Sequence, residues 1–225
     1  MKRNLIKAFC IAIVALATVA ESYAQEIVDK TVAVVGTGTR AQLITYSDLL
    51  WQLALQPNVP LDQPRSDDLN RALQLLINQR IFALEAERLP RTAPTEGEVK
   101  SKIDETLAFF ASPAAFEARL KQVGFDSVRD EAFQRLISQR VAIEKYVDFR
   151  FASFVVVTAD EETRYYQEIY VPEYRRRAPG RIVPTQKESQ VEVRDLITRQ
   201  KVADAIERFL DESKRRVQVE ILIEV

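Results

Sequence analysis

The last nine residues, Val217 to Val225, constrain this chain more than any other stretch. They place Val217, Val219, Ile221, Ile223 and Val225 on one side of an extended backbone and mostly polar groups on the other, the period of two that marks a half-buried strand. They follow at once on a polar-apolar helical pattern from about Lys187 to Arg216. A strand cannot stand alone, because its backbone amides and carbonyls need partners and an isolated ribbon is marginal in water. The candidate partner is the opposite end of the chain, Lys30 to Thr45. The expected fold class is therefore mainly α: a helical bundle with a small antiparallel sheet that joins an N-terminal hairpin to the C-terminal strand.

Local signals between those ends agree. Thr31 to Val35 and Ala41 to Thr45 read as strands separated by Gly36-Thr37-Gly38-Thr39-Arg40, whose glycines permit a turn with positive φ. Thr45 with Asp48 forms a capping-box pair and opens a helix that Pro57 and Pro60 end. Ser66-Asp67-Asp68 starts a second helix, whose apolar residues Leu69, Leu73, Leu76, Ile77, Ile81 and Leu84 keep helical spacing until Pro90. Thr95 and Glu98 cap a third, Ser112-Pro113 starts a short fourth that closes at Gly124, and Asp126-Ser127 is expected to open a fifth that reaches Phe149-Arg150-Phe151. Val155-Val156-Val157 reads as an extended joint, and Thr158 with Glu161 caps a helix bearing Tyr165, Tyr166 and Tyr170. From Val171 to Thr185, Pro172, Pro179, Pro184, Gly180 and the run Arg175-Arg176-Arg177 predict a linker or loop.

The start of the chain reads as a secretory leader over residues 1–24. Lys2, Arg3 and Lys7 form a basic segment, Phe9 to Ala20 an apolar run, and Ser22-Tyr23-Ala24 a small-x-small cleavage site. The apolar run is too short and poorly flanked for a spanning helix, so no stable membrane anchor is expected after cleavage. The single cysteine, Cys10, falls inside the leader, and the chain has no histidine. The mature protein thus lacks thiol and imidazole, the commonest soft metal ligands and catalytic bases, and no metal or cofactor is expected. Without Lys2, Arg3, Lys7 and Glu21, the 32 basic and 33 acidic residues become 29 and 32. That slight negative balance gives no electrostatic case for nucleic acid.

Gly36-Thr37-Gly38-Thr39-Arg40-Ala41 matches the dinucleotide fingerprint letter for letter, but that motif needs a helix directly behind it. Gln42 to Thr45 reads as extended instead, which favours a hairpin turn. Asp67-Asp68 and Glu161-Glu162 sit in first turns, where carboxylates meet the helix dipole favourably, and no catalytic residue is assigned. Two aromatic sets are the candidate contacts for a partner: Phe149, Phe151 and Phe154 at a helix end, and Tyr166, Tyr170 and Tyr174 every four residues. Such sets ordinarily pack a core, yet part of them could line a shallow apolar groove for unfolded polypeptide.

In this order, the motifs resemble SurA-type periplasmic chaperones, a family that includes parvulin-type peptidyl-prolyl isomerases. The likeness is carried by Val28 to Val35, Leu75-Leu76-Ile77-Asn78-Gln79-Arg80-Ile81, Phe116-x-x-x-Leu120-x-x-x-Gly124, and Arg140-Val141-Ala142-Ile143-Glu144. It continues through Val157-Thr158-Ala159-Asp160-Glu161-Glu162 before Tyr165-Tyr166, and Phe209-Leu210 through Ile221. The resemblance implies a helical chaperone domain over 25–171, a linker over 172–185, and a helix and strand over 186–225 that pack back on it. Where that family inserts parvulin domains, this chain has about fifteen residues and no histidine, so proline isomerisation is not carried over. What it implies is an ATP-independent periplasmic protein that holds unfolded or partly folded secreted and outer-membrane clients and is not an enzyme. The alternatives are an assembly protein with one dedicated extracytoplasmic partner, or an isomerase.

Overall fold

The structure is a computed structural model that describes residues 29–86 and 93–225; the leader expected over 1–24, Cys10, Val28 and Pro90 lie outside them. Strands β1 (Thr31–Val35) and β2 (Gln42–Thr45) pair antiparallel, with a 3-10 turn at Gly38–Arg40 between them. The C-terminal strand β3 (Val219–Ile221) pairs antiparallel with the free side of β1, giving the order β2-β1-β3. The two described ends of the chain are therefore neighbours in one sheet, as their alternation predicts.

Helices follow the sheet in chain order. They are α1 (Tyr46–Ala54), α2 (Ser66–Ala86), α3 (Glu96–Leu107), α4 (Pro113–Gln122), α5 (Glu131–Val147), α6 (Ala159–Tyr165), α7 (Val171–Arg177) and α8 (Gln190–Arg216). Thr45 with Asp48, Thr95 with Glu98, and Thr158 with Glu161 all form reciprocal capping boxes, each satisfying two amides that a helix start leaves unpaired. Gly124, at φ 93°, ends α4, and the Phe125 amide reaches back to the Leu120 carbonyl at 3.0 Å. The opposite end of α1 is closed by a distant residue: Arg119 donates to the carbonyls of Leu53, Ala54 and Val59 at 3.1, 3.2 and 2.8 Å.

Four apolar clusters among the described residues hold these parts together. The sheet, α1 and α2 bury Val32, Val35, Ile44, Leu49, Leu53, Leu73 and Ile81, with Phe209, Leu210, Val217 and Val219 packed against them. Helices α3 to α5 bury Phe116, Leu120, Phe133 and Ile137. Phe82, Tyr146 and Phe151 form a third cluster against the α8 residues Val202, Ala205, Ile206 and Phe209. A fourth gathers Tyr170, Val193 and Ile197. Helix α8, 27 residues and so about 40 Å long, touches three of the four and acts as the strut between them.

The structure corrects three expectations. The segment predicted as a loop from Val171 contains α7, which prolongs α6 through a π turn at Tyr166–Tyr170. The amide of Val171 bonds the Tyr166 carbonyl five residues back. A π turn widens the helix, and the ring of Pro172 enters just behind it, where a proline without its N–H is tolerated. The part from Ala178 to Thr185 is irregular as expected. Helix α5 starts at Glu131, not at Asp126-Ser127, because the Asp130 carboxylate caps the amides of Ala132 and Phe133. Finally, β3 is only three residues long. Ile221, the last residue in register with β1, opposite Ala33, and Ile223 beyond it are 50% and 40% exposed rather than turned into the core; past Ile221 the amides of Leu222 and Ile223 share the one Val32 carbonyl.

Candidate functional site

Helix α5 does not stop at Val147 but widens into a π turn, Asp148–Ala152, in which the Ser153 amide donates to the Asp148 carbonyl at 3.0 Å. Bonding five residues apart brings residues five apart onto one side, and Phe149 and Phe154 have that spacing. Their rings meet edge to face, with centroids 6.1 Å apart. They are 56% and 72% exposed. Phe151, between them, points the other way: its ring lies against Phe209 at 5.3 Å and Phe82 at 6.3 Å, and Arg150 caps its outer face. Of the three phenylalanines expected as contacts, Phe151 is therefore an anchor in the core, and its burial is what holds the other two outward.

The extended joint continues the apolar surface through Val156, 73% exposed. Lys201 of α8 pins the joint in place, donating to the Val156 carbonyl at 2.8 Å and pairing with Glu161 at 2.6 Å. The lysine, followed by the Thr158 amide, holds the Glu161 carboxyl down at about 2. Glu162, on the next face, is buried and joined to Gln190 and Arg194 of α8 at 3.1 and 2.5 Å. The amide of Gln190 first, then the guanidinium, keeps its carboxyl below the usual range. Both acidic residues are thus clamps that fix α6 on α8, in keeping with a structural reading of that pair.

Between those helices runs a groove of about 230 Å³. Tyr165, Ile169 and Ile197 make its apolar floor, and Arg164, Glu168 and Lys201 are among the residues of its rim. Lys201 belongs to both features, so the groove and the Phe149, Phe154 and Val156 surface adjoin. The tyrosine ladder lies beside it. Tyr166 and Tyr170 stack at 5.8 Å, and Tyr174 lies tilted against Tyr170 at 6.0 Å. Tyr170 is buried against Val193 and Ile197, and its hydroxyl donates to Glu192 at 2.8 Å. Burial, with the Glu192 carboxylate second, pushes the hydroxyl up to about 12. Its expected role as a contact is corrected on that ground: it mortars α7 to α8. Tyr166, whose hydroxyl is taken by the Pro184 carbonyl at 2.7 Å, and Tyr174 are half-buried flanks of the same ladder. Sequence reasoning missed Tyr165, Ile169 and Ile197 as groove residues. The signal was the displacement of tyrosine spacing by one residue, which a π turn converts into a change of face.

The glycine motif at 36–41 forms the β1–β2 hairpin. Ala41 leads into a strand rather than a helix N-terminus, so the geometry that would cradle a pyrophosphate is not built there. Among the described residues no cluster of three or more acidic, histidine or cysteine side chains is arranged to hold a metal ion, and no helix is long and apolar enough to cross a membrane. The chain matches no protein-family model, and no curated protein matches its sequence.

Proposed function

We propose that this protein is an ATP-independent chaperone core that binds unfolded or partly folded polypeptides outside the cytoplasm. The observation that carries the reading is the exposed Phe149–Phe154 pair, continued by Val156 and the adjoining Tyr165, Ile169 and Ile197 groove. Apolar side chains held on a helix end, with no ring partner among the described residues beyond each other, supply contact area without demanding one partner sequence. The location rests on the leader reading of residues 1–24, and the client class, secreted and outer-membrane proteins, rests on the resemblance. No nucleotide enters the mechanism; clients bind and leave by burial and release of apolar surface. Proline isomerisation is not part of the reading.

The test is aggregation of a chemically denatured client followed by light scattering at neutral pH. The wild-type chain is expected to suppress scattering at several-fold molar excess, and the double variant Phe149→Ser, Phe154→Ser to lose most of that effect while melting at the same temperature. Absence of suppression by the wild type, or equal suppression by the folded double variant, overturns the reading. Recovery of one stoichiometric partner in place of many clients would point to a dedicated assembly role instead.

A further inference from the structure

We infer that the outer edge of β3 is a docking site for an extended polypeptide strand, which would join the sheet as a fourth strand; this rests on the reading of the protein as a polypeptide-binding chaperone. The alternation of the ladder identifies the free groups. Gln218 accepts from Gly36, and Leu222 donates to Val32, both at 2.8 Å, with Glu220 opposite Val34 between them. The backbone groups of the even-numbered residues therefore point toward β1, and those of Val219 and Ile221 point away from it. Among the described residues, no further strand lies beyond β3, so these groups form an unpaired row.

Two features make this edge more than an unfinished one. Exposed edges are usually blunted by shortness, charge, proline or a covering element; β3 is short and carries Glu220, but it holds no proline, no strand among the described residues covers it, and its row is framed by Ile221, Leu222 and Ile223, 50%, 50% and 40% exposed. Charge also gives the row a direction. Exposed Arg215 and Arg216 precede it, and exposed Glu220 and Glu224 lie within and beyond it. An antiparallel incoming strand sets its first residues beside the glutamates and its last beside the arginines. The matching partner is thus an alternating apolar segment with basic residues at its start and acidic residues at its end. Backbone pairing reads extended conformation, not sequence, which suits clients destined to become β-sheets.

The experiment uses the full chain and a labelled peptide of alternating valine and threonine, with lysines at its start and glutamates at its end, read by fluorescence anisotropy. Ile221→Pro removes an outward amide while leaving the bonds to β1, because the Ile221 amide faces away from that strand. Binding is expected to weaken about tenfold in this variant and to persist in Ile221→Val. A peptide methylated on every backbone nitrogen is expected not to bind, and adding the unmethylated peptide should slow amide exchange at Val219 and Ile221. Equal binding of the methylated peptide, or unchanged exchange at both amides, overturns the proposal even if Ile221→Pro fails to fold. Unchanged peptide binding by folded Ile221→Pro does the same. Light scattering on the same proteins separates the two readings. Wild-type suppression without edge binding sinks this inference alone, and absence of wild-type suppression sinks the chaperone reading.

Discussion

The contact between Arg140 and Gln52 offers a sharp test of how the two halves of the bundle are joined. Arg140 of α5 donates to the side-chain carbonyl of Gln52 on α1, and its Nε is buried without a partner. Burial pulls its guanidinium down to about 10, with the Glu144 charge acting in the opposite direction. The drop from 12.5 corresponds to about 3 kcal/mol of cost to the charged form in the fold at neutral pH. A base whose folded value is depressed carries that cost below it and sheds it as pH rises from about 10 toward 12.5. Arg140→Met removes the cost and leaves the Gln52 carbonyl unpaired, at about 1–3 kcal/mol, so its stability should match wild type or exceed it by up to about 2 kcal/mol. Gln52→Leu strands the buried cation and should cost about 2 kcal/mol. Gln52→Glu converts a neutral acceptor into a charged one and should gain about 1 kcal/mol, less a few tenths for Asp48 one turn before it. The new carboxylate beside a cation has a depressed folded value, so this gain is present above about pH 4.3 and lost as pH falls below it. Urea unfolding at pH 7 and pH 3 reads all three variants through the midpoint at constant slope. A larger loss in Arg140→Met than in Gln52→Leu, or a Gln52→Glu gain that survives at pH 3, would refute the reasoning.

Three other outcomes are expected. Phe82→Ala empties a site packed by Tyr146, Phe151 and Phe209 and should cost about 3–4 kcal/mol in urea unfolding, whereas Phe149→Ser should fall within about 0.5 kcal/mol of wild type. Glu98 and Glu161 are both held down at about 2, by Lys145 and by Lys201 first; their contribution is present above about pH 4.5 and lost as pH falls toward 2, so Glu98→Gln and Glu161→Gln should flatten the acid limb of a melting-temperature profile. Arg119→Met frees the Leu53 and Ala54 carbonyls at the end of α1 and the Val59 carbonyl in the loop after it, and should cost about 2 kcal/mol by the same unfolding assay.

Most of what could be read from the sequence depends on neighbours within four residues. Thr45 and Asp48, or Thr158 and Glu161, need no tertiary contact to form a capping box, and each lies where its spacing puts it. The alternation from Val217 onward required a partner strand, and the antiparallel sheet supplies one. Burial along that strand was not legible, because it depends on how far β1 extends: Val219 has Val35 opposite and is half-buried, while Ile223 has passed the end of the ladder.

The candidate site was legible as a composition but not as a geometry. Phe149, Phe151 and Phe154 are equivalent as letters, and a regular helix would spread 149 and 154 around its girth. The π turn at Asp148–Ala152 sets them side by side and sends Phe151 inward to Phe82 and Phe209. The second π turn, at Tyr166–Tyr170, does the same to the tyrosines, handing Tyr170 to the core and leaving Tyr165 and Ile169 to the groove. An extra residue in a helical turn leaves no periodic trace in so short a segment, and the residues it turns inward, Phe151 and Tyr170, pack on α8 against Phe209 and Val193. The exposed surface therefore depends on the terminal helix as much as on its own residues. Loosening α8 should scatter Phe149, Phe154 and Val156 before it unfolds the sheet.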